Sequence, residues 1–434
     1  MGDFDPHISI ESITKFKDPL YDVREVRLDH ISESIITPFK IFSGSKLSKS
    51  TFDAYNGNRG KVFFENGRSI QGYKSWKHLH YLLTDADGKE RNQKLSNFFD
   101  IKHQLWRDSF NTLSLVFPKN PYNTTYFKSD KGTRCVSPFG KDNIAVLLDF
   151  IYANSNAMIL TPDIKIGGDP GIRIDEYLTH IDNSVDTLSE WNNKPIYVPI
   201  QFDLSQSNLV KVLYHYREKG YSNIWIDFLA QPYNASYIAN LRTARRLINE
   251  YLGSKEISLY FSHMQKENTP NLLDNKVLAS DILTQFGGAD FIGVNREVQH
   301  LFPIVEGKTP EQILQESAQK YNMTVEEYNK VKLAHKHRIF DPETYYYYPY
   351  SHYPQTIPID QRKIEFNEEI YNLINNQFLS YEVERTKKVA LDNGIDGLRK
   401  YIKQKAGILE NLPIKNAILP NERQTGLIDF IGQF

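Results

Sequence analysis

Through the middle of the chain, short apolar runs that end in polar residues alternate with longer stretches whose apolar positions recur at helical spacing. Ile196 to Ile200 is an apolar run of buried-strand type, and Gln201 and Asp203 follow where it runs out. Leu209, Val210, Val212, Leu213 and Tyr216 then mark one face of a helix that Gly220 is placed to close. Ile224 to Ile226 predicts the next strand, with Asp227 at its end. Downstream, Tyr237, Leu241, Ala244, Leu247 and Tyr251 mark a helix, and "ISLYFSH" a strand ending in Ser262 and His263. Val277 to Phe286 reads as a further helix, and "ADFIGVN" as a strand carrying Asp290 and ending in Asn295. Upstream, "NAMILTPDIKIGG" predicts a strand ending in Thr161 and Asp163. This alternation predicts an α/β chain, a (β/α)8 TIM-type barrel with an N-terminal β-rich entry and C-terminal helices; an open doubly wound sheet is the alternative. In parallel α/β folds ligands gather at the carboxyl ends of strands, so Gln201, Asp203 and Asp227 are expected on one rim, with Asp163 and His263 beside them.

The flanks obey other patterns. Residues 1 to 20 read as an arm, and from Val23 to Phe42 two β-like runs surround "HISES". Thr37-Pro38 then leads into "FKIFSGSK", as an entry hairpin feeding a first barrel strand would. Residues 50 to 140 are polar and rich in Asn, Lys and aromatics, and read as an insertion or cap. Thr309, Pro310 and Gln312, and again Thr324 with Glu327, are helix-start signatures that predict a helical pair over 309–337 outside the barrel rhythm. "FDPETYYYYPYSHYP" reads as a Tyr/Pro-rich loop, 365–406 as helices with a break at Gly394, and the tail from Asn411 as less regular. The expected organisation is therefore arm, entry hairpin, first strand and insert over 1–145, main barrel units over 146–300, a helical and Tyr-rich insertion over 301–360, and closing helices and tail over 361–434.

With 434 residues the chain can bury a sizeable core, and its formal net charge of -1 advertises no global basic field. A local basic groove stays open: Arg242, Arg245 and Arg246 share a helix face at i, i+3 and i+4, a candidate nucleic-acid contact whose ordinary meaning is a solvated face. Cys135 is the only cysteine, which excludes an internal disulfide and any multi-cysteine metal site. His335 and His337 lie two apart on a predicted helix and make a poor metal pair, so neither metal nor cofactor is expected. The start "MGDFDPHISIES" has no basic or apolar leader and no run of about 18 apolar residues occurs, so the chain reads as soluble and cytoplasmic, with no membrane partner. Twenty-seven tyrosines and 25 phenylalanines suit ordinary packing, or stacking on bases where cations lie beside them.

Among single residues, Asp163 suits a general base or nucleophile, or a loop cap; Gln201 suits reading a purine-like edge, or a satisfied buried amide. Asp227 suits pairing with a ligand amide, or accepting backbone N–H groups. No G-x-S-x-G surrounds any serine, so His263 beside Ser262 lacks the hydrolase elbow. "IGGDPG" lacks the Lys-Ser/Thr of a P-loop and the spacing of a dinucleotide fold. Strand alternation places Asp290 and Gly293 on opposite faces.

The order of segments resembles the tRNA-guanine transglycosylase family, barrel enzymes that exchange a guanine base for a deazaguanine. "REVRLDHISESIITPFKIFSGSK" is similar to that family's opening hairpin and its Thr-Pro, here Thr37 and Pro38. "MILTPDIKIGG" resembles its Ile-Leu-Thr-Asp-Ser-Gly-Gly run, which would make Asp163 the residue acting on the base. "VPIQFDL" resembles the Val-Gln-Gly-Gly strand, so Gln201 would read the base, and "YSNIWIDFL" places Asp227 where the family has glycine. "ADFIGVN" resembles the Gly-x-Asp strand, whose second Asp, three residues on, attacks the ribose; Gly293 occupies that position and Asp290 is the carboxylate left on the strand. The family's zinc cysteines are absent, and the Tyr-rich segment stands roughly in their place. The resemblance implies a protein that binds or modifies a guanine or 7-deazaguanine base in tRNA or DNA. It would act as a base-exchanging glycosyltransferase, or as a non-catalytic paralogue in a homo- or hetero-oligomer. Two other readings stay open: a barrel enzyme acting on a small molecule through Asp163, Asp203, Asp227 and His263, and a structural or interaction subunit.

Overall fold

The computed structural model describes residues 6–14, 21–45, 47–56, 62–85, 88–129, 132–166, 173–191, 193–253, 257–266, 274–296, 309–359 and 368–419. Among these residues eight parallel strands close a ring. The first strand is Phe39–Lys40 with Phe42–Ser43, the second Phe63–Ser69, and the third Phe110–Phe117. Ile159–Leu160 with Asp163–Ile164 forms the fourth, Ile196–Gln201 the fifth and Asn223–Asp227 the sixth. Ser258–Ser262 and Phe291–Ile292 are the seventh and eighth. Each pairs in parallel with the next, and the eighth returns to the first through Phe291↔Phe39. The chain is therefore a closed (β/α)8 barrel, and the open doubly wound sheet is set aside.

The helices obey the apolar spacing. Gln206–Lys219 buries Leu209, Val212, Leu213 and Tyr216 against the barrel and stops at Gly220, whose φ of 75° suits a residue without Cβ. Ala235–Leu252 buries Ile238, Leu241, Leu247 and Ile248. Pro310–Lys320 and Val325–Lys336 start in capping boxes built on Thr309 with Gln312 and on Thr324 with Glu327. Glu368–Ile402 is kinked at Gly394, where φ is 63°. Among the described residues no helix is long and apolar enough to cross a membrane.

The entry hairpin, Arg24–Leu28 against Glu33–Thr37 with Ile8–Ser12 added outside, plugs the N-terminal end of the barrel. Its Val26, Leu28 and Ile35 join the apolar interior of Ile41, Phe63, Leu160, Tyr197, Trp225, Tyr260 and Phe291. Polar contacts fix its place, several of them with residues at or just before the starts of strands. Arg24 binds the Asp290 carboxylate and the Ile257 carbonyl, His30 the Asn156 carbonyl, and Asn223 Nδ2 the Pro6 carbonyl.

Three segments differ from the sequence expectation. Residues 50 to 140, expected as an insertion or cap, contain the second and third barrel strands. Several of their inward positions are polar or small, Glu65, Gly67, Thr112 and Ser114, so the apolar run that marks a buried strand is broken. Val277 to Phe286 is not one helix. Val277–Leu278 joins Ile339–Asp341 and Tyr346–Tyr348 in an antiparallel sheet, which leaves only a 3-10 turn at Ile282–Gly287. The Tyr-rich segment is thus partly strand, and its hydroxyls anchor structure: Tyr345 donates to Glu382, Tyr346 to Glu410 and Tyr347 to Asp281.

Candidate functional site

At the C-terminal mouth the register sets one row across three strands, Gln201 opposite Asp227 and Asp227 opposite Ser262. Asp163, at the end of the fourth strand, completes it. Gln201 Nε2 donates to both Asp163 oxygens at 3.2 Å and to the Ile164 carbonyl at 2.6 Å, while its Oε1 accepts from the Ile166 N–H at 2.9 Å. Both ends of the amide are engaged, so Gln201 holds Asp163 in place. Asp163, Gln201 and Asp227 are all buried.

His263 follows the seventh strand with φ at 59°, a left-handed conformation that costs a residue with Cβ about 1–3 kcal/mol. That backbone turns the ring inward. Nδ1 lies 3.1 Å from Asp227 Oδ1, Nε2 lies 2.9 Å from Ser114 Oγ and 3.5 Å from Glu65 Oε1, and the ring stands edge-on to Trp225. Burial would push the imidazole down, but the two carboxylates outweigh it and hold His263 up to about 9. Burial would likewise raise Asp227, yet the His263 imidazolium and the Leu229 N–H hold it below the usual carboxylate range. Asp163 goes the other way: burial and the neighbouring Asp227 charge hold it well above that range, which favours its protonated form. Asp227 Oδ2 is buried and accepts no hydrogen bond among the described residues. The mouth therefore holds a carboxyl whose protonated form is favoured, a carboxylate within hydrogen-bond reach of it, and an imidazolium behind them.

Ser114, His263 and Asp227 are spaced like a serine relay, but the protons run the wrong way. The Ser114 hydroxyl donates to Glu65 Oε1 at 2.6 Å, and a doubly protonated His263 donates to Ser114, so no base is left to take the serine proton. Ser114 is also fully buried.

Glu65, which the sequence reading missed, organises the lumen. Its Oε2 accepts from Tyr260 at 2.6 Å and from the Val294 N–H at 2.8 Å. A Cβ on Gly293 would lie 2.3 Å from that oxygen. The space in which a residue-293 side chain would point is filled by a carboxylate from the second strand, two positions round the barrel from the eighth. The signal available was the lone acidic residue in "FFENGRS", which means little until the segment is known to be a barrel strand.

Several expected site residues lie elsewhere. Asp290 is at the other end of the barrel, paired with Arg24 and accepting from Thr37 and the Leu259 N–H, so it is a structural anion away from the mouth. Asp203 lines a cleft of about 370 Å³ with Gln201, Gln206, Asn240 and Thr243. Asn295 does reach the mouth, and donates to Asp281. The three arginines diverge: Arg245 is buried and donates to the Gly288 carbonyl, Arg242 reaches the Ile418 carbonyl, and Arg246 is exposed. The Gly-rich turn from 167 to 171 lies outside the described residues. Beside His263 opens a cleft of about 410 Å³ bordered by Arg68, Ser69, Asn295 and Arg296. Among the described residues no group of His, Cys, Asp and Glu side chains is arranged to hold a metal ion.

No family model and no curated protein matches the chain. Among solved structures it is similar to a GH26 β-mannanase from Bacteroides ovatus, at 14% identity over 66% of this chain and 86% of that one, with a TM-score of 0.34. Morphinone reductase is similar at 10% identity over 65% of this chain and 87% of that one, with a TM-score of 0.32. The carboxyl transferase domain of Rhizobium etli pyruvate carboxylase is similar at 8% identity over 54% of this chain, with a TM-score of 0.29; this chain covers 33% of its length. Likeness at this level says nothing of function, and the barrel assignment rests on the strand pairing itself.

Proposed function

We propose that this barrel binds a guanine-type base at its C-terminal mouth, as a divergent transglycosylase-like protein, and that Asp163 and Asp227 are the groups that meet the base. The observation that carries this reading is the pair of unlike carboxyls on the two strands that flank Gln201, with Asp227 Oδ2 buried and accepting from no N–H or hydroxyl among the described residues. A guanine edge offers adjacent N–H donors and a carbonyl acceptor; an ionised carboxylate takes the donors and a neutral acid donates to the carbonyl. In this reading Gln201 is a positioning residue. Attack on a sugar from residue 293 is no part of the proposal, because Glu65 fills that space.

Calorimetry with guanine, 7-deazaguanine and adenine tests the reading. The guanine-type ligands should bind and adenine should not, and Asp227→Asn should weaken binding about 10- to 100-fold, the worth of one hydrogen-bonded charge. Equal binding of adenine, or no binding of any base, would sink it. Labelled-guanine incorporation into tRNA and into DNA then separates exchange from binding alone.

A second reading, proton transfer on a small molecule, draws on the size of the cleft beside His263, which is within the range of small-ligand sites. Loss of turnover in a folded Asp163→Asn variant, without any base affinity in the parent, would favour it.

A further inference from the structure

The cleft beside His263 carries two guanidinium groups that form no ion pair among the described residues. Arg296 donates to Ser69 Oγ and Arg68 to the Phe98 carbonyl, and neither forms a salt bridge among the described residues. Burial lowers Arg296, opposed by the charges of Asp227 and Asp163, so it stands close to the carboxyl pair. Arg68, Arg296 and the His263 imidazolium gather three positive charges around the carboxylates of Asp227 and Glu65. Helix Tyr73–Thr84 starts at the same cleft, with Gln71 and Ser75 on its wall, and adds the positive end of its dipole. A chain with a formal net charge of -1 thus concentrates positive charge next to its buried acid pair.

Resting on the base-binding reading for the other half of the ligand, we propose that this cleft is a phosphate subsite. Arg68 and Arg296 hold the phosphate of a nucleotide whose base meets Asp163 and Asp227. Guanidinium forks match phosphate oxygens, and the Ser69 hydroxyl, now occupied by Arg296, is placed to join them. The phosphate belongs either to a free nucleotide or to a strand.

Binding of guanosine, guanosine 5'-monophosphate, ribose 5-phosphate and a guanine-containing dinucleotide to the whole chain tests this. The monophosphate should bind about 10- to 100-fold tighter than guanosine, the range of one charge-assisted pair. Ribose 5-phosphate should compete with it. R68Q and R296Q should each remove the difference while guanosine affinity stays the same, and R68K and R296K should keep part of it. If the glutamine variants fail to fold by circular dichroism, the parent's preference for phosphate-bearing ligands and the lysine variants decide. Preference for the dinucleotide over the monophosphate identifies a strand as the source, and the reverse identifies a free nucleotide. Guanosine and its monophosphate binding equally would overturn the subsite and leave the base reading standing. Arginine-dependent binding of ribose 5-phosphate without binding of guanosine would keep the subsite and remove the base reading. No binding of any of the four overturns both.

Discussion

At Gly293 the lumen has no room for even a methyl group, since an added Cβ would also lie 2.7 Å from Ser262 Cβ and 2.8 Å from the Tyr260 ring. Gly293→Ala should lower stability in denaturant unfolding by about 1–3 kcal/mol, the usual effect of overpacking. Combined with Glu65→Ala it should cost clearly less than the sum of the single changes, because the two side chains compete for one space; additive effects would remove Glu65 as the cause. His263 gives a pH signature. Its folded value of about 9 exceeds the ordinary 6.5, so its stabilising contribution is complete below about pH 6.5 and is lost as pH rises through 9. The shift corresponds to about 3 kcal/mol as an upper bound, and His263→Gln should flatten the fall in melting temperature between pH 6.5 and 9. An unchanged slope in that variant would assign the titration to another group, of which Asp163, raised in the same sense, is the first to test.

Among the elements, the entry hairpin and the eighth strand are joined by one buried ion pair, Arg24 with Asp290. Asp290→Asn leaves Arg24 buried beside a neutral group and should lower stability by about 3–5 kcal/mol. Ligand affinity at the mouth should not change, because the pair lies at the opposite end of the barrel. A loss of affinity in a folded Asp290→Asn variant would return that residue to the site. The outer helices are simpler. Thr324→Ala removes a capping box from Val325–Lys336, and faster amide exchange confined to that helix should report a loss of about 1 kcal/mol. Both capping boxes were legible in the sequence, because a cap is a contact between residues three apart. The pairing of Val277 with Tyr347 was not, because residues 70 positions apart share no local cue.

Across the whole molecule the two ends of the barrel differ. The N-terminal end is closed by apolar side chains of the hairpin, and the C-terminal end collects the ionisable groups. Any nucleic acid would meet few cations there: among the described residues Arg68 and Arg296 border the mouth, while Arg242 and Arg245 are engaged elsewhere. Binding of a strand should therefore weaken only gently with salt, with a log–log slope of about -1 to -2, measured by fluorescence anisotropy. A slope near -6 would require a basic surface other than this cleft.

The sequence by itself determined the strands from Ile159 onward, the helices Gln206–Lys219 and Ala235–Leu252, the entry hairpin, the break at Gly394 and the placing of Asp163, Gln201, Asp227 and His263 at strand ends. Each of these follows from periodicity or from a local cap. Only the tertiary structure decided that the ring closes, that the polar segment between residues 50 and 140 supplies two of its strands, and that Glu65 reaches across the lumen into the space of Gly293. It also set the two carboxyls apart, raising Asp163 and lowering Asp227, because burial and a neighbour's charge set a carboxyl's protonation and neither is written in the order of residues.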